Sequence, residues 1–251
     1  MSYSAGPGYF RAEGKYVEAL KKAGLVDAQS AFDHPKIEVW RSITERENCV
    51  LDHDGGRFHI KRNKPGHRGV DQEVHGIKLL ESAGIKSVPI AGYGMLHDGR
   101  GFFISEDLAG FEDSEKLVEG GYSFEKLLEP TARLAARLHD AGLHHRDLYL
   151  CHFYARVEDD AVDLRLMDAG RVRKLPWLTK RRWIVKDVAQ FVYSIRDLDQ
   201  RLINQWLETY ASARGVSMSI RRAIDRKVAF IARHDAKLRQ KQPTRNVAID
   251  R

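Results

Sequence analysis

The amino-acid sequence predicts an α+β fold in two lobes, a strand-rich N-terminal part followed by a mostly helical C-terminal part. Three observations predict it. Extended apolar runs cluster between residues 36 and 105, whereas everything beyond Trp183 has helical spacing. Asp54-Gly55-Gly56 reads as a hairpin turn joining two of those runs, because glycine accepts φ > 0 without steric cost. The chain has 251 residues, 43% of them hydrophobic, which suits one large domain or two lobes sharing an interface. We place the lobes at 1–105 and 106–251.

The elements follow in order. Residues 13–23 read as a helix with Tyr16, Val17 and Leu20 on one side and Gly24 as its stop. Residues 36–62 are extended, with Ile37, Val39, Val50, Leu51, Phe58 and Ile60 marking three strands. Helical spacing returns over 70–83 (Val70, Val74, Ile77, Leu80) and ends at Gly84. Short strands follow at 88–93 and 102–105. Ser123 caps a long helix to about Ala141, with Leu127, Leu134 and Leu138 inward, and Pro130 is expected to interrupt or kink it. Residues 152–157 and 164–167 form a small hairpin, and the C-terminal helix spans 220–240.

Composition narrows the class. The apolar content excludes bulk disorder, and 20 Gly with 7 Pro exclude a collagen-like chain. No apolar run approaches the roughly 20 residues that span a bilayer, and no signal peptide is visible at the N-terminus. Cys49 and Cys151 make no disulfide framework, so a reducing, cytoplasmic location is the default. The charge of +7 permits an anionic partner without choosing among phosphate, membrane surface and nucleic acid. No motif of a nucleic-acid module is present, and no nucleic acid is expected as partner.

The informative stretch is His144-His145-Arg146-Asp147-Leu148-Tyr149-Leu150-Cys151-His152-Phe153, followed after a hairpin by Met167-Asp168-Ala169-Gly170. An H-R-D-L loop followed by D-x-G is the protein-kinase arrangement. A carboxylate on a rigid loop, Asp147, can accept a hydroxyl proton as that oxygen attacks phosphorus. A second, Asp168, can hold Mg²⁺ against nucleotide phosphates. Lys61 stands on the third strand, where a kinase carries its phosphate-binding lysine; viewed alone, an exposed strand lysine is the better reading. Glu73 falls on the inward side of the next helix, where a carboxylate is costly unless paired, and Lys61 is its natural partner. Glu81 is the second choice for that role, and a snorkelling rim position is the plain alternative for Glu73. Glu106 to Leu108 fits a hinge whose backbone meets the adenine of ATP. Asp187 opens a helix; it either binds the catalytic-loop backbone, as in kinase-like folds, or is an ordinary first-turn Asp.

With these residues assembled, the chain resembles the lipopolysaccharide kinase family, the WaaP-like sugar kinases of Gram-negative bacteria. The match is His145-Arg146-Asp147-x-Tyr149-x-Cys151-His152-Phe153 together with Arg182-Trp183-Ile184-Val185-Lys186-Asp187-Val188-Ala189-Gln190. The resemblance covers about residues 30–240. It implies a protein-kinase-like fold and ATP-dependent phosphorylation of a sugar hydroxyl in the inner core of lipopolysaccharide. The Tyr-x-Cys-His-Phe tail leans toward a heptose acceptor over Kdo. A cytoplasmic enzyme at the inner face of the inner membrane follows from such an acceptor.

Three departures from protein kinases matter. No G-x-G-x-x-G lies between the first two strands, so phosphate cover falls to backbone, Thr44 or Arg46. His152 replaces the metal-binding Asn, and imidazole is a poor Mg²⁺ ligand; His152 either fills a second metal position or holds the loop by hydrogen bonding. Tyr149 replaces the lysine that neutralises the transferred phosphoryl, so another cation must do so. Residues 171–186 contain seven Lys/Arg and no Asp or Glu, with Trp177 and Trp183 interleaved. Arg171, Arg173 and Lys174 are the candidates for acceptor binding or charge neutralisation. Only 18 residues separate Asp168 from Asp187, too few for a peptide-gripping segment, which favours an anionic glycolipid acceptor. A solvated basic loop is the plain reading of the same stretch, and a membrane-facing one the sharper reading. The C-terminal helix, with its basic face, reads as core-facing or as facing lipid headgroups. A pseudokinase scaffold and a kinase with a soluble acceptor are the alternatives in function.

Overall fold

The computed structural model describes residues 8–159, 161–217 and 219–241. They form two compact units. One comprises residues up to Ser82 with 86–110 and 168–171; the other comprises 83–85, 111–167 and the chain from 172 on.

The first unit is built on a six-stranded antiparallel sheet. Its strands are β1 (Tyr9–Ala12), β2 (Glu38–Ser42), β3 (Arg46–His53), β4 (Gly56–Asn63), β5 (Ile90–Met95) and β6 (Gly101–Glu106), in the order β1-β5-β6-β4-β3-β2. The two-residue turn Asp54-Gly55 closes the β3–β4 hairpin, with His53 opposite Gly56. Strand β1 has no counterpart in the sequence reading. It is four residues long with none buried, so only its pairing with β5, far along the chain, reveals it. The expected helix at 13–23 is a 3₁₀ turn at Gly14–Tyr16 leading into α1 (Val17–Lys22). A short α2 (Ser30–Asp33) precedes β2, and α3 (Val70–Ser82) follows β4. Leu20, Leu25, Cys49, Leu51, Phe58, Ile60, Phe102 and Ile104 form a core under the sheet. Burial raises the Cys49 thiol pKa to about 11, so it stays protonated; neither cysteine forms a disulfide.

The second unit is mainly helical, with α4 (Ser114–Glu119), α5 (Phe124–Asp140), α6 (Lys180–Ser194), α7 (Gln200–Ala213) and α8 (Arg221–Lys241). A small sheet joins β7 (Glu112–Asp113) to the hairpin of β9 (Phe153–Glu158) and β10 (Ala161–Leu166), and β8 (Leu143–His144) pairs with β11 (Arg173–Lys174). Ser123 caps α5 through the N–H of Glu125. The helix continues through Pro130 instead of breaking there. Leu127 and Leu128 before the proline and Ala135 and Leu138 after it are all buried, which outweighs the roughly 3 kcal/mol that an interior proline costs. The Thr131 hydroxyl oxygen also accepts the indole N–H of Trp206 at 3.0 Å. Trp206 stacks on Phe191 at 4.1 Å, so α5, α6 and α7 share one core. Gly142, at φ 70°, ends the helix in the left-handed region that glycine adopts freely and passes the chain into β8.

Candidate active site

In the sheet unit, strand register places the candidate nucleotide residues. Asn48 on β3 and Phe103 on β6 are the cross-strand partners of Lys61 on β4, so the three side chains share one face. The Lys61 Nζ donates to Glu73 Oε1 at 2.5 Å. Glu73 is 3% exposed, and burying that carboxylate is tolerable only with a paired cation. Glu81 is exposed on the same helix. At the other end of β6, the Tyr16 hydroxyl donates to Glu106 Oε2 at 2.5 Å. The N–H groups of Glu106 and Asp107 bond to the carbonyls of Pro89 and Arg57. Leu108 follows, half-buried and outside the ladder. The segment where protein kinases carry glycines is a tight turn closed by the Ile43 N–H on the Arg46 carbonyl.

Asp168 also belongs to the sheet unit, on the turn that runs into the 3₁₀ helix Ala169–Arg171. Its φ is 54°, a left-handed conformation that Asp adopts more readily than bulkier residues. Helix α3 lies directly on this turn. A Cβ at Gly76 would stand 1.9 Å from the Ala169 carbonyl oxygen. Gly76→Ala would stabilise an open helix by roughly 1 kcal/mol, but here overlap costs roughly 1–3 kcal/mol and displaces the turn. The expected result is a lower Tm and weaker MgATP binding, read by thermal melts and calorimetric titration.

The His145-Arg146-Asp147 loop of the helical unit is held by Asp187 on α6, which is fully buried. Its Oδ2 accepts the His145 N–H at 2.6 Å and its Oδ1 accepts the Arg146 N–H at 2.8 Å. Burial pushes the Asp187 pKa upward, but the His139 and His145 interactions outweigh it and hold the carboxyl below its usual range. His139 in turn bonds the Tyr210 hydroxyl at 2.6 Å. The Met167 carbonyl faces His145 Nε2 at 2.9 Å, so that nitrogen carries the proton. His144 stays neutral, its pKa lowered by burial to about 4.

The two residues that follow are fixed as tightly. Arg146 has φ 70°, its carbonyl accepts from Lys186 Nζ, and its guanidinium lies 4.7 Å over the Trp183 ring. Gln190 Nε2 donates to Asp147 Oδ1 at 3.3 Å. The amide cannot be reversed, because Lys186 has only donors and it reaches Gln190 Oε1 at 3.3 Å. His152 Nδ1 donates to the Asp147 carbonyl at 2.7 Å, the hydrogen-bonding alternative of the two that the sequence left open. Among the described residues no group of three or more His, Cys, Asp and Glu could hold a metal. A carboxylate such as Asp168 nonetheless fits Mg²⁺, which is commonly bound by one or two carboxylates with substrate phosphates completing the shell.

Arg171 lies in the sheet unit, while Arg173 and Lys174 form β11 in the helical unit, opposite His144 and Leu143. Gly76 and His139 escaped the sequence reading, and Lys186 and Gln190, named there only within the matching run, were given no role. Lys186 and Gln190 are four apart and share a helix face with Asp187 between them. A polar pair flanking a buried Asp was the available signal for those two.

A family model for the lipopolysaccharide kinase (Kdo/WaaP) family matches residues 45–210, well over half of the chain. The chain belongs to the lipopolysaccharide kinase (Kdo/WaaP) family. Its members in the comparison agree. The lipopolysaccharide core heptose(I) kinase WaaP of Pseudomonas aeruginosa is 30% identical over 209 residues, 69% of this chain and 76% of that protein. The protein of the same name from Escherichia coli K12 is 28% identical over 69% of this chain and 77% of its own length. A solved structure of WaaP in complex with acyl carrier protein matches with a TM-score of 0.68 at 26% identity, covering 91% of this chain and 98% of that one. The kinase therefore has the protein-kinase-like α+β fold that its sequence predicts, and it is a phosphotransferase that draws on ATP.

Proposed function

We propose that this kinase transfers the γ-phosphoryl group of ATP to a heptose hydroxyl of the lipopolysaccharide inner core. The observation that carries the acceptor is the 30% identity with a core heptose(I) kinase across 69% of the chain. The hydrogen-bonded loop around Asp147 supports the chemistry. Asp147 takes the proton of the acceptor hydroxyl as its oxygen bonds to the γ-phosphorus, and the bond from that phosphorus to the β–γ bridging oxygen breaks, leaving ADP. Gln190 aims the carboxylate, and Lys186 aims Gln190. His152 braces the loop from behind through the Asp147 carbonyl.

Lys61, held by Glu73, meets the α- and β-phosphates of the nucleotide. Glu106 and Leu108 present backbone to its base, with the Glu106 side chain tied back to Tyr16. Asp168 is the Mg²⁺ ligand in this reading, and His152 Nε2 the candidate for a second position. Bound Mg²⁺ would neutralise phosphate charge as the bridging oxygen leaves. Arg171, Arg173 and Lys174 are assigned to acceptor phosphates or to charge developing on the transferred group. An acceptor of this kind places the enzyme at the cytoplasmic face of the inner membrane.

Phosphate transfer from labelled ATP to core glycolipid lacking its core phosphate tests the reading. Mass spectrometry is expected to locate the new phosphate on heptose. Phosphate on Kdo would keep the chemistry and replace the acceptor. Tight MgATP binding with no transfer to either sugar would remove the core-kinase reading.

A further inference from the structure

The stretch between β11 and α6 carries an exposed apolar pair. Trp177 is 86% exposed and Leu178 83%. They open the 3₁₀ turn Trp177–Thr179, which buries no residue. Single apolar side chains at a surface are common, but two adjacent large ones exposed to this degree are a contact feature. The chain is tied down just before the turn, and the turn then closes on itself. The Leu175 N–H bonds the Gly142 carbonyl at 2.7 Å, and the Thr179 N–H bonds the Pro176 carbonyl at 3.2 Å just before α6 begins.

The charge around this pair has one sign. Lys174 precedes it, Lys180, Arg181 and Arg182 follow it, and all four are exposed. No Asp or Glu occurs from Ala169 to Lys186. The second tryptophan of the stretch does a different job. Trp183 is half-buried, with its ring 4.7 Å from that of His144 and the Arg146 guanidinium also over it. It is a platform for the catalytic loop, so the exposed pair is Trp177 and Leu178 alone.

We propose that this turn docks the kinase on an anionic lipid bilayer. Trp177 and Leu178 enter the interfacial layer while Lys180, Arg181 and Arg182 meet lipid phosphates. An indole is at home at the boundary between headgroups and acyl chains, where its body is apolar and its N–H stays wet. Cations beside an anionic leaflet gain from its surface potential, and that gain is screened by salt. A three-residue turn with both side chains outside suits insertion into a fluid layer, which requires no matching pocket. The inference extends the acceptor assignment above to the surface in which that acceptor lies. Its test uses vesicles without acceptor and reads no phosphate transfer, so either assignment can fail while the other stands.

The full-length protein is sedimented with vesicles of phosphatidylcholine alone and of phosphatidylcholine with phosphatidylglycerol. Wild type is expected to bind the anionic vesicles more tightly than the neutral ones, and less tightly as salt rises. Trp177→Ser with Leu178→Ser should lower that binding by about tenfold or more without changing the Tm, since neither side chain is packed. Brominated acyl chains should quench tryptophan emission in wild type and fail to do so in Trp177→Phe. Absence of binding by wild type, or equal binding by the double variant, overturns the proposal. So does a turn that engages an acidic carrier protein but no vesicle, which would reassign the surface to a protein partner.

Discussion

Asp147→Asn is expected to lower kcat by roughly 10²–10⁴-fold, the usual contribution of a positioned general base. The substitution preserves shape. The amide oxygen it introduces would still accept the Gln190 N–H that Asp147 Oδ1 accepts at 3.3 Å, and the backbone bond from His152 would be untouched. What disappears is the basic oxygen that receives the acceptor proton. MgATP affinity should stay within about twofold, because this residue is assigned to the acceptor hydroxyl and not to the nucleotide. Steady-state kinetics with calorimetric titration of MgATP checks both halves, and turnover near the wild-type rate would end the assignment. Gln190→Met separates aim from basicity. It nearly conserves volume at a buried position and removes the donor that fixes Asp147. Loss of up to about 10²-fold in kcat with an unchanged KM for ATP is the expected signature of a positioning residue.

Asp187→Asn should cost about 3 kcal/mol or more of unfolding free energy. Each carboxylate oxygen of Asp187 accepts one loop N–H, from His145 at 2.6 Å and from Arg146 at 2.8 Å. An amide has one acceptor, so its NH₂ would face a buried N–H and leave that donor unmet. The same loop contains Arg146 at φ 70°, a conformation that persists only while its surroundings enforce it. Activity should therefore fall with stability. The pH dependence carries a sign. The native carboxyl titrates below its ordinary value, burial being outweighed by the His139 and His145 interactions. Its stabilisation is present above the unfolded carboxylate pKa of about 3.9 and is lost as pH falls through the lower native value. Wild type should lose stability on that acid limb, and Asp187→Asn should show a shallower one. Urea titrations at pH 7 and over a descending acid series measure both, and equal midpoints for the two proteins at pH 7 would contradict the account.

Much of the site was legible because its signals are local. The hairpin turn at Asp54-Gly55, the Ser123 cap and the strand that carries Lys61 announce themselves through turn chemistry, capping and alternation within a few residues. The pairing of Lys61 with Glu73 was readable at one remove. A carboxylate on the inward face of a helix demands a cation, and few were placed to supply it. Pro130 shows the limit of the same method. Its local cost was read correctly, but buried leucines and alanines on both sides of it keep the helix whole.

The element order and the family were written in short strings such as His145-Arg146-Asp147, because the chemistry proposed for Asp147 needs those side chains at that spacing. The packed chain settled other matters. It gave Gln190 its orientation, His152 its loop-bracing bond, Gly76 its reason for lacking a side chain and Trp183 a different task from Trp177. Most of these depend on a partner brought close by folding: Gln190 reaches Asp147 across 43 positions. A hydrogen bond or a steric overlap acts over about 3 Å, and no pattern along a chain specifies which distant atoms will stand that close until the cores of both units have formed.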